Sequence, residues 1–322
     1  MKKYNFDKDF SIGADISWYP QMIESGFVFK NAKGEEQDLL ITLKEYNMDS
    51  IRLRVWVDPN DDPHRGHCSA EEVSDFAQKL TKAGYRIMLN FHYSDSWADP
   101  GKQFIPAAWE GLDFDVLVQK LYDYTFETME LFKSKGVFCE WVQIGNETNP
   151  GMLLPLGSTE DFAKLTRLYN AGNDAVKASS PDSKTMVHLA EFNSTDFQLN
   201  YFENLEKHNC RYDMMAFSFY PFHLPKLTYE ECIEGFKRSM KEIPERFGKD
   251  FMIAEIGEDN TLEDKSYQLL IDAIEIMSTQ PKCKGIMWWE PQGARSWSRY
   301  PLSAWHDDGR PTRALEAYNT IR

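Results

Sequence analysis

Eight short apolar runs punctuate the chain. They are "SIGADIS" from Ser11, "SIRLRVWV" from Ser50, "YRIMLNFHY" from Tyr85, "EWVQIGNE" from Glu140, "KTMVHLA" from Lys184, "MMAFSFYP" from Met214, "DFMIAEIG" from Asp250 and "GIMWWEP" from Gly285. Such runs suit strands buried on both faces, and parallel strands of that kind need helical crossovers. Helical patterns do lie between them. Val73, Phe76, Ala77, Leu80 and Ala83 follow the i, i+3, i+4 rule, with Ser69 and Glu72 as a capping box and Gly84 at the end. Phe162, Leu165, Tyr169, Gly172 and Val176 repeat the spacing, and Pro181 punctuates the exit. A last helix is expected around "RALEAYNTI". Eight strand–helix units of roughly 40 residues each predict a (β/α)8 TIM barrel. A doubly wound sheet has no support, because no GxGxxG follows the first run and no Walker loop occurs. The 322 residues hold no low-complexity linker and no shift in composition, so residues 1–322 read as a single barrel catalytic domain.

Barrel enzymes carry their chemistry at the C-terminal ends of the strands. Here those ends bear Asp15 and Ser17; Arg52 and Arg54; His92 and Asp95; Asn146 and Glu147; His188; Tyr220; Glu255; and Trp289 and Glu290. A purely structural barrel needs few of these. Glu147 ends the fourth run and Glu255 the seventh, 108 residues later (255 − 147), which sets two carboxyls across a shared mouth. A facing carboxyl pair is the minimum equipment for glycoside hydrolysis: one protonated to assist the leaving oxygen, one ionised to attack. Arg54 is placed to keep Glu255 ionised and Tyr220 to donate to it, while Asn146 is placed to hold a sugar hydroxyl. Glu290 comes one unit too late to oppose Glu147, and Glu258 is a weaker rival three residues past Glu255.

The balance of charges narrows the partners. A net charge of −15 argues against nucleic acid. No run reaches the 18 or so apolar residues of a membrane span, and "MKKYNFDKDF" is not a signal peptide, so no membrane partner is expected and localisation stays undefined. Nine Trp and fifteen Tyr exceed what a core alone usually needs and suit sugar stacking. The five Cys, at 68, 139, 210, 232 and 283, form no CxxC and read as buried free thiols. His64, His67 and Cys68 cluster in "DPHRGHC", but the spacing fits no zinc pattern, and a loop explains it better. "DDP" at Asp61 and Asp62 reads as a solvated loop rather than a calcium ligand set. No metal and no cofactor are expected, and a monomer acting on a polysaccharide or oligosaccharide is.

The strand-end pattern resembles glycoside hydrolase clan A, and within it the chain resembles family 53, the endo-β-1,4-galactanases. Four stretches carry the resemblance: "GADISWYPQMIESGFVFKNAKGEEQDLL" into "LKEYNMDSIRLRVWVDP"; "NFHYSDSWADPGKQFIPAAW"; "QIGNETNPGMLLP"; and "WWEPQG" with "LSAWHDDGRPTRAL". Together they cover nearly the full chain. The resemblance implies a retaining endo-acting hydrolase of β-1,4-galactan side chains of pectin, with Glu147 as general acid/base and Glu255 as nucleophile. It implies Arg54, His92, Asn146 and Tyr220 as the shell around them, and Trp97 and Trp289 as sugar platforms. The family usually follows its nucleophile with Thr, whereas Ile256 and Gly257 follow here. Phe222 and His223 stand where Trp is expected, so the subsites differ more than the pair does. Some members bind calcium in a long insertion after the nucleophile strand. Here that interval reads as one helix, "SYQLLIDAIEIM", and no structural calcium is expected. Another clan-A β-glycanase, acting on glucan or mannan, and a carbohydrate-binding pseudoenzyme are the alternatives.

Overall fold

The computed structural model describes residues 2–59 and 68–321; His64, His67, Asp61 and Asp62 lie outside the described residues. Ten strands are found: β1 (Ser11–Asp15), β2 (Ser50–Val55), β3 (Arg86–Phe91), β4 (Cys139–Ile144), β5 (Gly151–Met152), β6 (Gly157–Ser158), β7 (Lys184–Leu189), β8 (Met214–Phe219), β9 (Phe251–Ile256) and β10 (Cys283–Trp289). Eight of them close into a barrel in the order β1-β10-β9-β8-β7-β4-β3-β2, and β5 and β6 form a separate two-stranded sheet. The fold is therefore a (β/α)8 TIM barrel. The pairings are parallel, with Ser11 opposite Gly285, Phe91 opposite Ile144, Val142 opposite Thr185 and His188 opposite Ala216.

The apolar runs behave as their composition dictates. Every residue of β1, β2, β8 and β9 is buried. Between the strands lie α1 (Tyr19–Glu24), α2 (Leu39–Glu45), α3 (Ala70–Lys82), α4 (Phe114–Ser134), α5 (Phe162–Ser179), α6 (Thr195–Lys207), α7 (Tyr229–Phe247) and α8 (Glu263–Met277). Helix α3 buries Val73, Phe76, Ala77 and Leu80, the face its period marks. Its capping box is only half formed. The Ser69 hydroxyl accepts from the Glu72 N–H at 3.3 Å, but the Glu72 carboxylate turns to that hydroxyl instead of to the Ser69 N–H. The reciprocal box occurs on α7, between Thr228 and Glu231. The final helix, Arg313–Thr320, is a 3₁₀ helix.

The chain forms two compact units. One comprises Met1–Ile51, Glu191–Thr195 and Ser218–Arg322, and holds β1, β9 and β10. The other comprises Arg52–Ala190 and Asp196–Phe217, and holds β3, β4 and β7. All five cysteines are free; four are buried and Cys210 is half-buried. Among the described residues, no helix is long and apolar enough to cross a membrane.

Candidate active site

In the unit of β3, β4 and β7, polar side chains at the strand ends converge on Asn146. Its Oδ1 accepts from Arg52 Nη2 at 2.7 Å and from Asn90 Nδ2 at 2.9 Å. Those two donors fix the orientation of the amide, so Nδ2 gives one hydrogen to the Ala98 carbonyl at 2.7 Å and has a second to offer a ligand. Arg52 is itself held by Gln143 at 2.8 Å. The Gln103 side chain donates to the carbonyls of Asn146 and Glu147, at 2.8 and 3.3 Å. The buried ring of His188 sets its Nδ1 3.0 Å from Asn146 Oδ1 and 3.3 Å from the Glu147 nitrogen. Both residues of the dipeptide are thus tied to the end of the next strand.

Glu147 leaves β4 on a sharp turn, with φ at +46°. A left-handed residue with a side chain costs roughly 1–2 kcal/mol, so neighbouring contacts must hold it. Thr148 supplies them. Its N–H and hydroxyl both donate to the His188 carbonyl, its own carbonyl accepts from Tyr201 at 2.8 Å, and its hydroxyl pairs with Tyr169. The Glu147 carboxyl is 9% exposed, buried enough for its protonation to respond to its surroundings yet open to a ligand.

His92 and Trp97 belong to the same unit. His92 Nδ1 accepts from the Trp56 indole at 3.1 Å and from the Ala98 N–H at 3.0 Å, which leaves its hydrogen on Nε2. Burial, then the charges of Arg54 and Arg52, press the His92 pKa well below its ordinary value. Burial, Arg52 and His92 do the same to His188. Both imidazoles are therefore neutral at pH 7. Arg54 is buried and lies over the Trp97 ring, its Cζ 4.4 Å from the centroid. Trp97 itself is half-buried.

The other unit carries Tyr220, Glu255 and Trp289. Glu255 ends β9, and its Oε2 accepts from the Tyr220 hydroxyl at 2.9 Å. A donor to a carboxylate favours the ionised form. Trp289 ends β10 half-buried, in edge contact with Trp18 at 5.2 Å and Tyr300 at 4.8 Å between centroids. The rivals of Glu255 hold structural positions. Glu290 is fully buried and takes the Trp18 N–H on both oxygens, at 3.1 and 3.2 Å. Glu258 is buried against Lys265 at 3.1 Å and accepts from the Asp259 N–H at 2.9 Å.

Gln103, Trp18, Trp297 and Tyr300 escaped the reading of the chain. Gln103 lies in a loop with no pattern to mark it. Asn90 left a signal: it is an amide inside the apolar run "RIMLNF".

Comparison with known proteins agrees with this arrangement. Residues 11–273 match the family model described as glycosyl hydrolase family 53. The chain is 32% identical over 267 residues to an endo-beta-1,4-galactanase of Bacillus subtilis, covering 82% of this chain but 60% of that longer protein. It is 32% identical over 301 residues to an arabinogalactan endo-beta-1,4-galactanase of Humicola insolens, covering 86% of this chain and 88% of that one. Among solved structures, a GH53 catalytic domain of Ignisphaera aggregans superimposes with a TM-score of 0.88 at 28% identity, over 99% of both chains. A xylanase 10B of Thermotoga maritima, at 12% identity and a TM-score of 0.63, shares the fold alone.

Proposed function

The chain belongs to glycosyl hydrolase family 53, and from that premise we propose that it is a retaining endo-β-1,4-galactanase acting on the β-1,4-galactan side chains of pectin. One observation carries the reading. Two strand-end glutamates stand in different polar settings, Glu255 accepting from a phenol and Glu147 set on a turn beside an oriented amide. Two acids kept in unlike environments can divide the work of acid and nucleophile.

In the proposed reaction the Glu255 carboxylate attacks the anomeric carbon, and the glycosidic C–O bond breaks as Glu147 gives its proton to the leaving oxygen. Water then attacks the glycosyl-enzyme ester, Glu147 takes the water's proton, and the Glu255 carboxylate is restored. Tyr220 and Arg54 favour the ionised nucleophile, and the second N–H of Asn146 receives a sugar hydroxyl. His92 completes the wall as a neutral N–H donor, and Trp97 and Trp289 stack on the sugar. The chain works as one catalytic barrel and as a monomer, which light scattering tests.

The test is a polysaccharide panel with product sizing and NMR of the first-formed anomer. Hydrolysis of β-1,4-galactan with retention is expected. Activity confined to glucan or mannan would overturn the substrate, inversion would overturn the nucleophile, and unchanged galactan turnover by Glu147→Ala would overturn the mechanism. A crystal structure should place the two carboxyls roughly 5–5.5 Å apart, the retaining separation.

A further inference from the structure

The segment that follows β10 folds down as a second aromatic surface, one the catalytic scheme does not use. Trp18 is its pier. This ring is 5% exposed and meets Trp289 at 5.2 Å, Trp297 at 6.0 Å and Tyr300 at 5.9 Å, each edge-on. The segment reaches Trp18 because residue 293 is glycine: a Cβ there would sit 2.9 Å from Trp18 Cζ3 and 3.0 Å from Cε3. The rings are then fastened one by one. The Trp297 indole N–H donates to Ser25 Oγ at 2.8 Å, and that hydroxyl donates to the Met22 carbonyl at 2.7 Å at the end of α1. The Ser298 hydroxyl bridges back to the Gly293 carbonyl at 2.7 Å and accepts from the Tyr300 N–H at 3.0 Å.

Despite this anchoring, Trp289, Trp297 and Tyr300 all remain half-exposed. Trp and Tyr keep a polar end wet while presenting an apolar face, and a rigid exposed ring loses little freedom on binding. A ring that is both tethered and open suits a ligand that is itself a rigid plate with C–H groups on its face and hydroxyls at its rim. A pyranose is such a plate.

We propose that Trp297 and Tyr300, braced on Trp18, form an extended subsite that stacks on sugar units of a β-1,4-linked hexopyranose chain beyond the unit lying on Trp289. The inference rests on the galactanase reading for the identity of the sugar. It adds that the enzyme prefers chains long enough to reach this shelf.

The test compares a short aryl β-galactobioside with β-1,4-galactopentaose on the full chain. Trp297→Ala should lower the ratio of kcat/KM for the long substrate over the short one about tenfold, mainly through KM, and move galactan products to a different size distribution. Trp297→Phe, which keeps a ring but loses the tether to Ser25, should fall between, and it also covers failure of the Ala variant to fold. Phe138→Ala removes a ring 52% exposed just before β4 and serves as the control. A ratio within twofold of wild type for both Trp297 variants overturns the shelf. If the wild-type chain leaves galactan intact, the substrate assignment fails separately. Fluorescence titration with glucan and mannan pentaoses then tests the shelf by itself: binding weakened by Trp297→Ala supports it, and no pentaose bound overturns it.

Discussion

Gly257 stands two residues past the proposed nucleophile, and replacing it tests how Glu255 is held. A Cβ built there would lie 2.9 Å from the Leu302 carbonyl oxygen, 3.2 Å from Leu302 Cβ and 3.2 Å from Tyr220 Cε1. The carbonyl cannot retreat easily, because it accepts from the Trp288 indole at 2.9 Å. The Tyr220 ring is only half-buried and is the softer neighbour. Gly257→Ala should therefore push the ring by a few tenths of an ångström and stretch the 2.9 Å bond from its hydroxyl to Glu255. A hydrogen bond to a charged group is worth about 1.5–3 kcal/mol, and losing about half of it, ~1.4 kcal/mol, is a tenfold effect. The weakened donor no longer favours the ionised nucleophile, so the acidic limb of kcat/KM should move to higher pH by about one unit. Overpacking should also cost ~1–3 kcal/mol of stability in urea unfolding. Tyr220→Phe should move the limb in the same direction and further, without the overpacking cost. The decisive measurement is the pH profile on galactan. A Gly257→Ala enzyme that loses stability while its acidic limb stays with wild type would show that Tyr220 does not set the state of Glu255.

Three further outcomes are expected. His92 and His188 are held neutral, with pKa values pressed down in the fold, so the unfolded chain binds their protons first as pH falls. The fold keeps its full stability above about pH 6.5 and loses about 1.4 kcal/mol per pH unit per histidine below it, until each folded pKa is reached. Urea unfolding between pH 8 and 5 should show this, and a His188→Gln variant with an undiminished slope would refute it. Asn146→Ala removes the amide that anchors Arg52 and Asn90 at 2.7 and 2.9 Å, and should cost about 1–3 kcal/mol of stability as well as most of kcat/KM; near-wild-type turnover by a folded variant would count against its role. Glu258→Gln breaks a pair whose lysine is 46% exposed, and should lower stability by ~1 kcal/mol or less while galactan turnover persists. Loss of turnover on the scale of Glu255→Gln would make Glu258 the better candidate.

The barrel was legible because its strands are apolar throughout and its helices are not. Periodicity cannot mistake a run such as "MMAFSF", buried at every position, for an amphipathic helix like α3. The strand-end polar residues were legible for the same reason, since a charge at the edge of an apolar run needs a cause. What stayed hidden depends on contacts distant in the chain. Gln103 reaches 43 residues on to the Asn146 carbonyl, and Trp297 reaches back 272 residues to Ser25. The missed half of the Ser69 cap and the 3₁₀ winding of Arg313–Thr320 are choices between nearly equal local geometries, which residue type does not settle.

Glu147 and Glu290 show why the surroundings of a strained residue matter more than the strain. Both follow a barrel strand, and both sit at φ of +46°. By backbone alone each is a functional candidate, since left-handed residues with side chains gather at sites. The carboxyls part company in what they touch. Glu290 is fully buried, and Trp18 and Gln292 bring N–H groups to it, so its oxygens close the segment onto the start of α1. At Glu147 the effort goes into the backbone instead: Thr148, Tyr169, Tyr201 and Gln103 grip the turn through main-chain and hydroxyl contacts. A turn braced by its neighbours can present its side chain to a ligand, whereas a side chain that does the bracing cannot. The same φ therefore marks a rivet after β10 and a reactive group after β4. Swapping the test makes this concrete: Glu290→Gln should loosen the segment that carries Trp297 and lower thermal stability, and Glu147→Gln should leave stability near wild type while abolishing galactan cleavage.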